Sequence, residues 1–121
     1  MWSQMYQSRS NRYMGGSCMN VKEFEKNMLL GKLAEICSQQ DKVEQGFSIL
    51  AKGGIGYDYF IAKVKGSEIL AYWVECKYNS SPLTKSQREF KTWCKKMNLN
   101  FLVDRISPQR LQYWLDERGA I

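Results

Sequence analysis

The sequence predicts an α/β domain on a mixed central sheet, with elements in the order α-β-β-β-α-β-α. Three observations carry this. Apolar residues recur at helical spacing in three stretches. Two runs of strand formers meet at a Gly-Ser pair, and a strand–helix–strand unit follows that calls for parallel neighbours. The length of 121 residues suits one domain.

Residues 1–19 are polar, rich in Ser and Gln, and end in Gly15-Gly16 with no period of 2 or 3.6. They read as a flexible N-terminal arm, whose Arg9 and Arg12 could touch a phosphate backbone, and residues 20–121 as a single domain. Asn20 and Glu23 fit a capping box that opens the first helix. Val21, Phe24, Met28, Leu29, Leu33, Ile36 and Cys37 then form its apolar stripe, to about Cys37. The run from Gly46 to Ala51 reads as a short strand, and Lys52-Gly53-Gly54-Ile55-Gly56 as a flexible connection.

Tyr57–Lys65 and Glu68–Lys77 are strand-forming runs joined by Gly66-Ser67, a two-residue hairpin loop with Gly first. Asn79-Ser80-Ser81-Pro82 breaks the chain. Thr84 and Gln87 form a second capping box, and a helix runs to about Met97, where Asn98 stops it. Phe90, Trp93, Cys94 and Met97 line one face of this helix, and Lys85, Arg88, Lys91 and Lys95 the other. Phe101-Leu102-Val103 is a short buried strand. Ser107-Pro108, an N-cap and an N1 proline, opens a last helix with Leu111, Trp114 and Leu115, and Gly119 ends it.

Composition narrows the chemistry. The formal net charge is +6 and the isoelectric point about 9.2, which favours an anionic partner, nucleic acid being the commonest. There is no histidine, which removes histidine-based triads, and Cys18, Cys37, Cys76 and Cys94 include no CxxC pair, so zinc sites built on Cys and His spacing are not expected. The cysteines sit singly in apolar patterns and read as reduced core residues. Any enzyme here must work with carboxylates, lysines and a hard metal ion. No apolar run is long enough to cross a membrane or form a secretory segment, so an intracellular, cytoplasmic protein without a membrane partner is expected. The size also suits a phage or viral protein.

The hairpin brings candidate groups together. A two-residue loop pairs Lys65 with Glu68 and, at the open end, Asp58 with Glu75. Opposed residues share a face, and Lys77, two beyond Glu75, shares it too. Two carboxylates set against each other destabilise a sheet unless something offsets their charge, and a divalent cation does so most simply. A three-residue loop would place the two acids on opposite faces. At about 100° per residue Glu25 falls within the apolar arc of the first helix, between Met28 and Leu29, where a carboxylate is costly unless paired or metal-bound. It is a candidate third ligand, or the partner of a lysine such as Lys77. A second E-x-K triplet, Glu89-Phe90-Lys91, lies on a helix where residues two apart diverge, so it makes no site.

In these residues the chain resembles the PD-(D/E)xK nuclease superfamily. Gly56-Tyr57-Asp58 stands where that family has its Pro-Asp pair, and Val74-Glu75-Cys76-Lys77 matches its (D/E)xK strand. The stretch from Val74 through Pro82-Leu83-Thr84-Lys85-Ser86-Gln87 is similar to VRR-NUC nucleases. The helix glutamate, small size and basic charge are similar to archaeal and viral Holliday junction resolvases. The likeness spans about Asn20 to Leu115. Tyr57 in place of proline and a long gap between Asp58 and Glu75 depart from the pattern.

The resemblance implies a restriction-endonuclease-like core and a nuclease domain over residues 20–121. It implies hydrolysis of DNA phosphodiester bonds with Mg²⁺, or Mn²⁺ in its place. Asp58, Glu75, the Cys76 backbone carbonyl and Glu25 would bind the metal, and Lys77 would serve the attacking water. A structure-selective endonuclease acting on branched DNA, as a homodimer, follows from the resolvase likeness. Lys52, Lys85, Gln87, Arg88, Lys91 and Lys95 are candidate DNA contacts. For Gln87 the capping box is a sufficient role, and for the lysines a solvated helix face. The competing readings are a non-catalytic basic DNA-binding protein with a relic nuclease fold, and a basic interaction protein whose hairpin charges form a surface salt bridge.

Overall fold

A computed structural model describes residues 21–118. Helix α1 spans Val21–Glu44, followed by strands β1 (Ser48–Lys52), β2 (Tyr59–Lys65) and β3 (Glu68–Tyr78). Helix α2 (Lys85–Lys96), strand β4 (Phe101–Ile106) and helix α3 (Pro108–Glu117) complete the order. The protein is mixed α/β, with a four-stranded sheet in the order β1-β2-β3-β4. β1, β2 and β3 are antiparallel neighbours, and β3 and β4 are parallel. No helix among the described residues is long and apolar enough to cross a membrane. The expected arm, Asn20 and Gly119 lie outside the described residues.

The chain divides into two compact units, one before Gly31 and one from Gly31 onward, with α1 contributing to both. In the first, the described α1 residues are exposed or half-buried, Leu29 by 58% and Glu25 among the exposed. The second holds the sheet.

The hairpin has the register that its loop requires. Lys65 pairs with Glu68, and the ladder runs unbroken to Tyr59 opposite Val74. Gly66 has a φ of 65° and Ser67 a negative one, the pattern of a turn with Gly first. Both faces of the sheet are covered. On one, Tyr59, Ile61 and Val74 form the buried core with Phe47, Ile49, Tyr72 and Leu102 around it. On the other, Phe60 packs on Trp73 at 4.3 Å between ring centroids, and Trp73 and Phe101 meet Phe90 of α2 at 6.1 and 5.8 Å.

Local chemistry sets the helix ends. Thr84 caps α2 in a complete capping box with Gln87, and Ser107 caps α3 ahead of Pro108. Asn98, at φ 60°, ends α2: its N–H donates to Lys95 O, and that of Leu99 to Cys94 O. Gly46 does the same for α1, with its own N–H on Val43 O and the Phe47 N–H on Lys42 O. Its φ of 97° makes it a helix-terminating glycine, which corrects the strand expected from Gly46 to Ala51.

α1 therefore runs seven residues past the expected end at Cys37, to Glu44. Its buried face also differs from the expected stripe. Ala34, Cys37, Ser38 and Lys42 are buried, whereas Ile36 is 45% exposed. Polar partners on the sheet select this face. The Ser38 hydroxyl bonds the Tyr59 hydroxyl and Asp104 Oδ2 at 2.6 Å, and Lys42 Nζ meets the same carboxylate oxygen at 2.8 Å. Arg110 of α3 reaches Asp104 Oδ1 at 3.1 Å and also pairs with Asp41. Strand β4 likewise extends beyond the expected Val103 to Ile106, which carries Asp104 into this network.

Candidate active site

The site forms where β2 begins and β3 runs on past it. Glu75 and Lys77 lie on the α2 face of β3. Glu75 is only 3% exposed, and Lys77 Nζ stands 3.8 Å from its Oε2. Asp58 falls one residue short of the β2 ladder. Its N–H donates to Val74 O at 2.8 Å, so it is not the ladder partner of Glu75. This corrects the direct pairing expected from the turn. Tyr59 already occupies the place opposite Val74, and Asp58 turns into the gap beyond the strand end. There its carboxylate Oδ2 accepts from the Cys76 backbone N–H at 2.7 Å. Its own C=O accepts from the Gly53 N–H at 2.6 Å, which closes the loop between β1 and β2.

The backbone of Cys76 thus faces Asp58. In an antiparallel ladder a residue sends its N–H and C=O to the same neighbour, so the Cys76 carbonyl opens on the same gap. Its thiol does not take part. Burial, then the nearby Asp104 and Asp58 charges, push it up to about 12.

Gln87 completes the setting of Glu75. Its side-chain Nε2 donates to Glu75 Oε2 at 2.8 Å, while its Oε1 accepts from the Thr84 N–H at 2.8 Å. The capping box leaves the amide one orientation in which both bonds form. Gln87 therefore has a structural and a site role together.

The electrostatics are those of an acid site short of positive charge. Burial, and then the Asp58 charge, raise the Glu75 carboxyl to about 7, against the lowering effect of Lys77. A hydrogen bond with Asp58 adds to the rise, because it favours a proton held between the two carboxyls. Glu35 of α1 belongs to the same field. Its carboxyl is also raised, first by burial and then by Asp58, while Lys32 and Lys52 act to lower it.

Glu35 is thus a helix glutamate within the electrostatic field of the site, one not expected from the sequence. Glu25 is exposed, so the cost of burial argued for it does not arise. Sequence reasoning missed Glu35 because the apolar stripe misassigned the buried face of α1. A trace was present in Gly31, Glu35, Ser38 and Lys42, spaced at four, three and four residues along one side of the helix.

Among the described residues, no group of three His, Cys, Asp or Glu side chains is placed to hold a metal ion. Asp58 and Glu75 still fit a hard cation of the Mg²⁺ type, which is commonly held by one or two carboxylates and completed by water and substrate oxygens. The observation that tests the fit is the raised, buried Glu75 beside a second carboxylate: a cation there removes the repulsion that holds the proton on.

The basic candidates fall where expected by helical spacing. Lys85, Arg88, Lys91 and Lys95 are all exposed on α2. Lys85 and Arg88 line an open depression of about 370 Å³ with Glu89 and Thr92. Arg88 Nη1 also donates to Leu83 O at 2.8 Å. Lys52 is exposed at the end of β1, and its charge reaches Glu35. Cys37, Cys76 and Cys94 are free thiols.

No family model, curated protein or solved structure matches the chain.

Proposed function

We propose that the protein is a metal-dependent endonuclease with a restriction-endonuclease-like core, which hydrolyses phosphodiester bonds in DNA and prefers branched substrates. The observation that supports this best is the convergence at one strand end. Asp58, pinned by the Cys76 N–H, meets a buried Glu75 that is held by Gln87 and followed at the same face by Lys77. A nuclease of this kind resembles the VRR-NUC enzymes and Holliday junction resolvases, and a homodimer would suit a symmetric four-way junction.

Asp58, Glu75 and the Cys76 carbonyl would hold Mg²⁺, or Mn²⁺ in its place. The ion supplies Lewis-acid stabilisation of the phosphate and favours ionisation of the attacking water. Each side chain then has a defined task. Gln87 fixes the rotamer of Glu75 and occupies one of its oxygens, leaving the other for the ion. Lys77 orients the attacking water and meets the charge that develops on the phosphate. Glu35, raised by burial and then by the Asp58 charge, adds a third acid to the field around Asp58. Lys52, Lys85, Arg88, Lys91 and Lys95 contact the phosphate backbone on either flank.

The test is cleavage of a four-way junction, a flap and a linear duplex with Mg²⁺, by wild type and by Asp58→Asn. Asparagine can keep the bond to the Cys76 N–H while losing the charge, so the fold is spared. The proposal expects cutting by wild type, strongest on branched DNA, and loss of at least about a hundredfold in the variant. Equal cutting by both, or none by either with Mg²⁺ or Mn²⁺, overturns it. In the second case DNA binding alone would leave a non-catalytic basic protein.

A further inference from the structure

The loop between β1 and β2 presents one bare aliphatic side chain next to the candidate site. Ile55 is 83% exposed, the highest value among the exposed large hydrophobic residues described. It stands three residues before Asp58 in a loop held rigidly from below. Gly56 is buried, at φ 94°, and a Cβ added there would lie 2.4 Å from Phe90 Cβ and 3.1 Å from Ser86 O. Gly54 lies so close to the Tyr57 ring that a Cβ would meet it at 2.4 Å, and Tyr57 packs on Phe90 at 5.2 Å between centroids. With Gly53 bonded to Asp58, the loop is docked on the first turns of α2. The glycines expected to give flexibility instead allow close packing.

Other exposed aliphatics differ in setting. Val64 and Ile69 are exposed cross-strand partners beside the hairpin turn, at the far end of the hairpin from Asp58. Leu50 lies at the register shift of β1. Ile55 instead sits between Lys52 and Asp58, on a loop packed against α2, whose first turns carry Lys85 and Arg88. Apolar side chains presented in this way next to phosphate-binding residues wedge between base pairs, unstacking them and kinking the duplex.

We infer that Ile55 is a wedge that enters the base stack beside the scissile phosphate, and that it sets the substrate class as DNA whose stacking is already interrupted. A branch point or flap has little stacking to lose, so insertion is easy there and costly in continuous duplex. The inference rests on the nuclease proposal above.

The experiment uses a four-way junction carrying 2-aminopurine beside the branch, with Ca²⁺ in place of Mg²⁺ so that DNA binds uncut, and saturating protein. Wild type should raise the fluorescence several-fold, and Ile55→Ser should not. With Mg²⁺, Ile55→Ser should lose about tenfold in cutting the junction but far less on a continuous duplex, where the intact stack resists insertion. Equal fluorescence with both proteins, or the same loss on both substrates, overturns the wedge while the nuclease reading stands. Failure of wild type to bind or cut any of these DNAs overturns both. A thermal melt of Ile55→Ser matching wild type excludes a folding defect as the cause of any loss.

Discussion

Gln87 and Glu75 are joined by a 2.8 Å hydrogen bond whose donor is also the N3 residue of the α2 capping box. The end of a helix and the orientation of a buried acid are thereby one unit. Glutamate also serves at N3 of a capping box, so Gln87→Glu should keep the helix cap but turn a donor into a second negative charge against Glu75. We expect the acid limb of the pH–rate profile to move up by about one unit, and thermal stability above pH 7 to fall by about 1 kcal/mol from the added like charge. Gln87→Ala loses the cap as well, and should be destabilised by about 1 kcal/mol in a thermal melt. An unmoved pH profile in Gln87→Glu would show that the contact does not tune Glu75.

Asp58 is present at a cost to the fold. Its charge is the second-largest cause that raises Glu75. Above pH 7, in the absence of divalent metal, Asp58→Asn should therefore stabilise the protein, by about 1 kcal/mol. Denaturant unfolding in EDTA checks this. Destabilisation would mean that the bond to the Cys76 N–H depends on the carboxylate charge.

The raised Glu75 carboxyl links metal to pH. Its folded value of about 7 lies above the unfolded one, so in metal-free protein its contribution to stability is full below the ordinary value of 4.5 and is lost as pH rises through about 7. A cation binds the ionised form. Divalent affinity should thus weaken by up to about tenfold per unit as pH falls below 7 and level off above it. Stabilisation by Mg²⁺ should accordingly be greater at pH 8 than at pH 6, which thermal melts with and without the ion would show. A pH-independent affinity would contradict the assignment of Glu75 as a ligand.

On the other face of the sheet, Asp104 holds the buried Lys42. Burial alone would raise the Asp104 carboxyl, but hydrogen bonds from Lys42 and Ser38, with the charges of Lys42 and Arg110, lower it overall. Its contribution is present above the unfolded value of about 3.8 and lost as pH falls through the lower folded one. Asp104→Asn leaves Lys42, 7% exposed, without its counter-charge and should cost about 3–5 kcal/mol. A melting temperature near wild type would contradict this.

What was legible in the chain was local. Gly66-Ser67 set the hairpin register because turn chemistry and strand alternation are both short-range, and the Thr84/Gln87 and Ser107/Pro108 caps were readable for the same reason. The buried face of α1 was not. Ser38 and Lys42 are placed by Tyr59 and Asp104, 21 to 66 residues along the chain, and these polar contacts override the apolar stripe through Ile36. The same error hid Glu35, whose charge acts on the site from that buried face. Asp58 shows a subtler limit. The register brought it to the correct strand end, but only the bond to the Cys76 N–H shows why it leaves the ladder.

The central claim is that Asp58 and Glu75 together hold a divalent cation, and Mn²⁺ binding followed by electron paramagnetic resonance at pH 8 tests it without choosing a DNA substrate. The account predicts a site in wild type that weakens at least about tenfold in Asp58→Asn, as expected when one of two charged ligands is lost. Equal affinity in both proteins, or no binding in either, would contradict it.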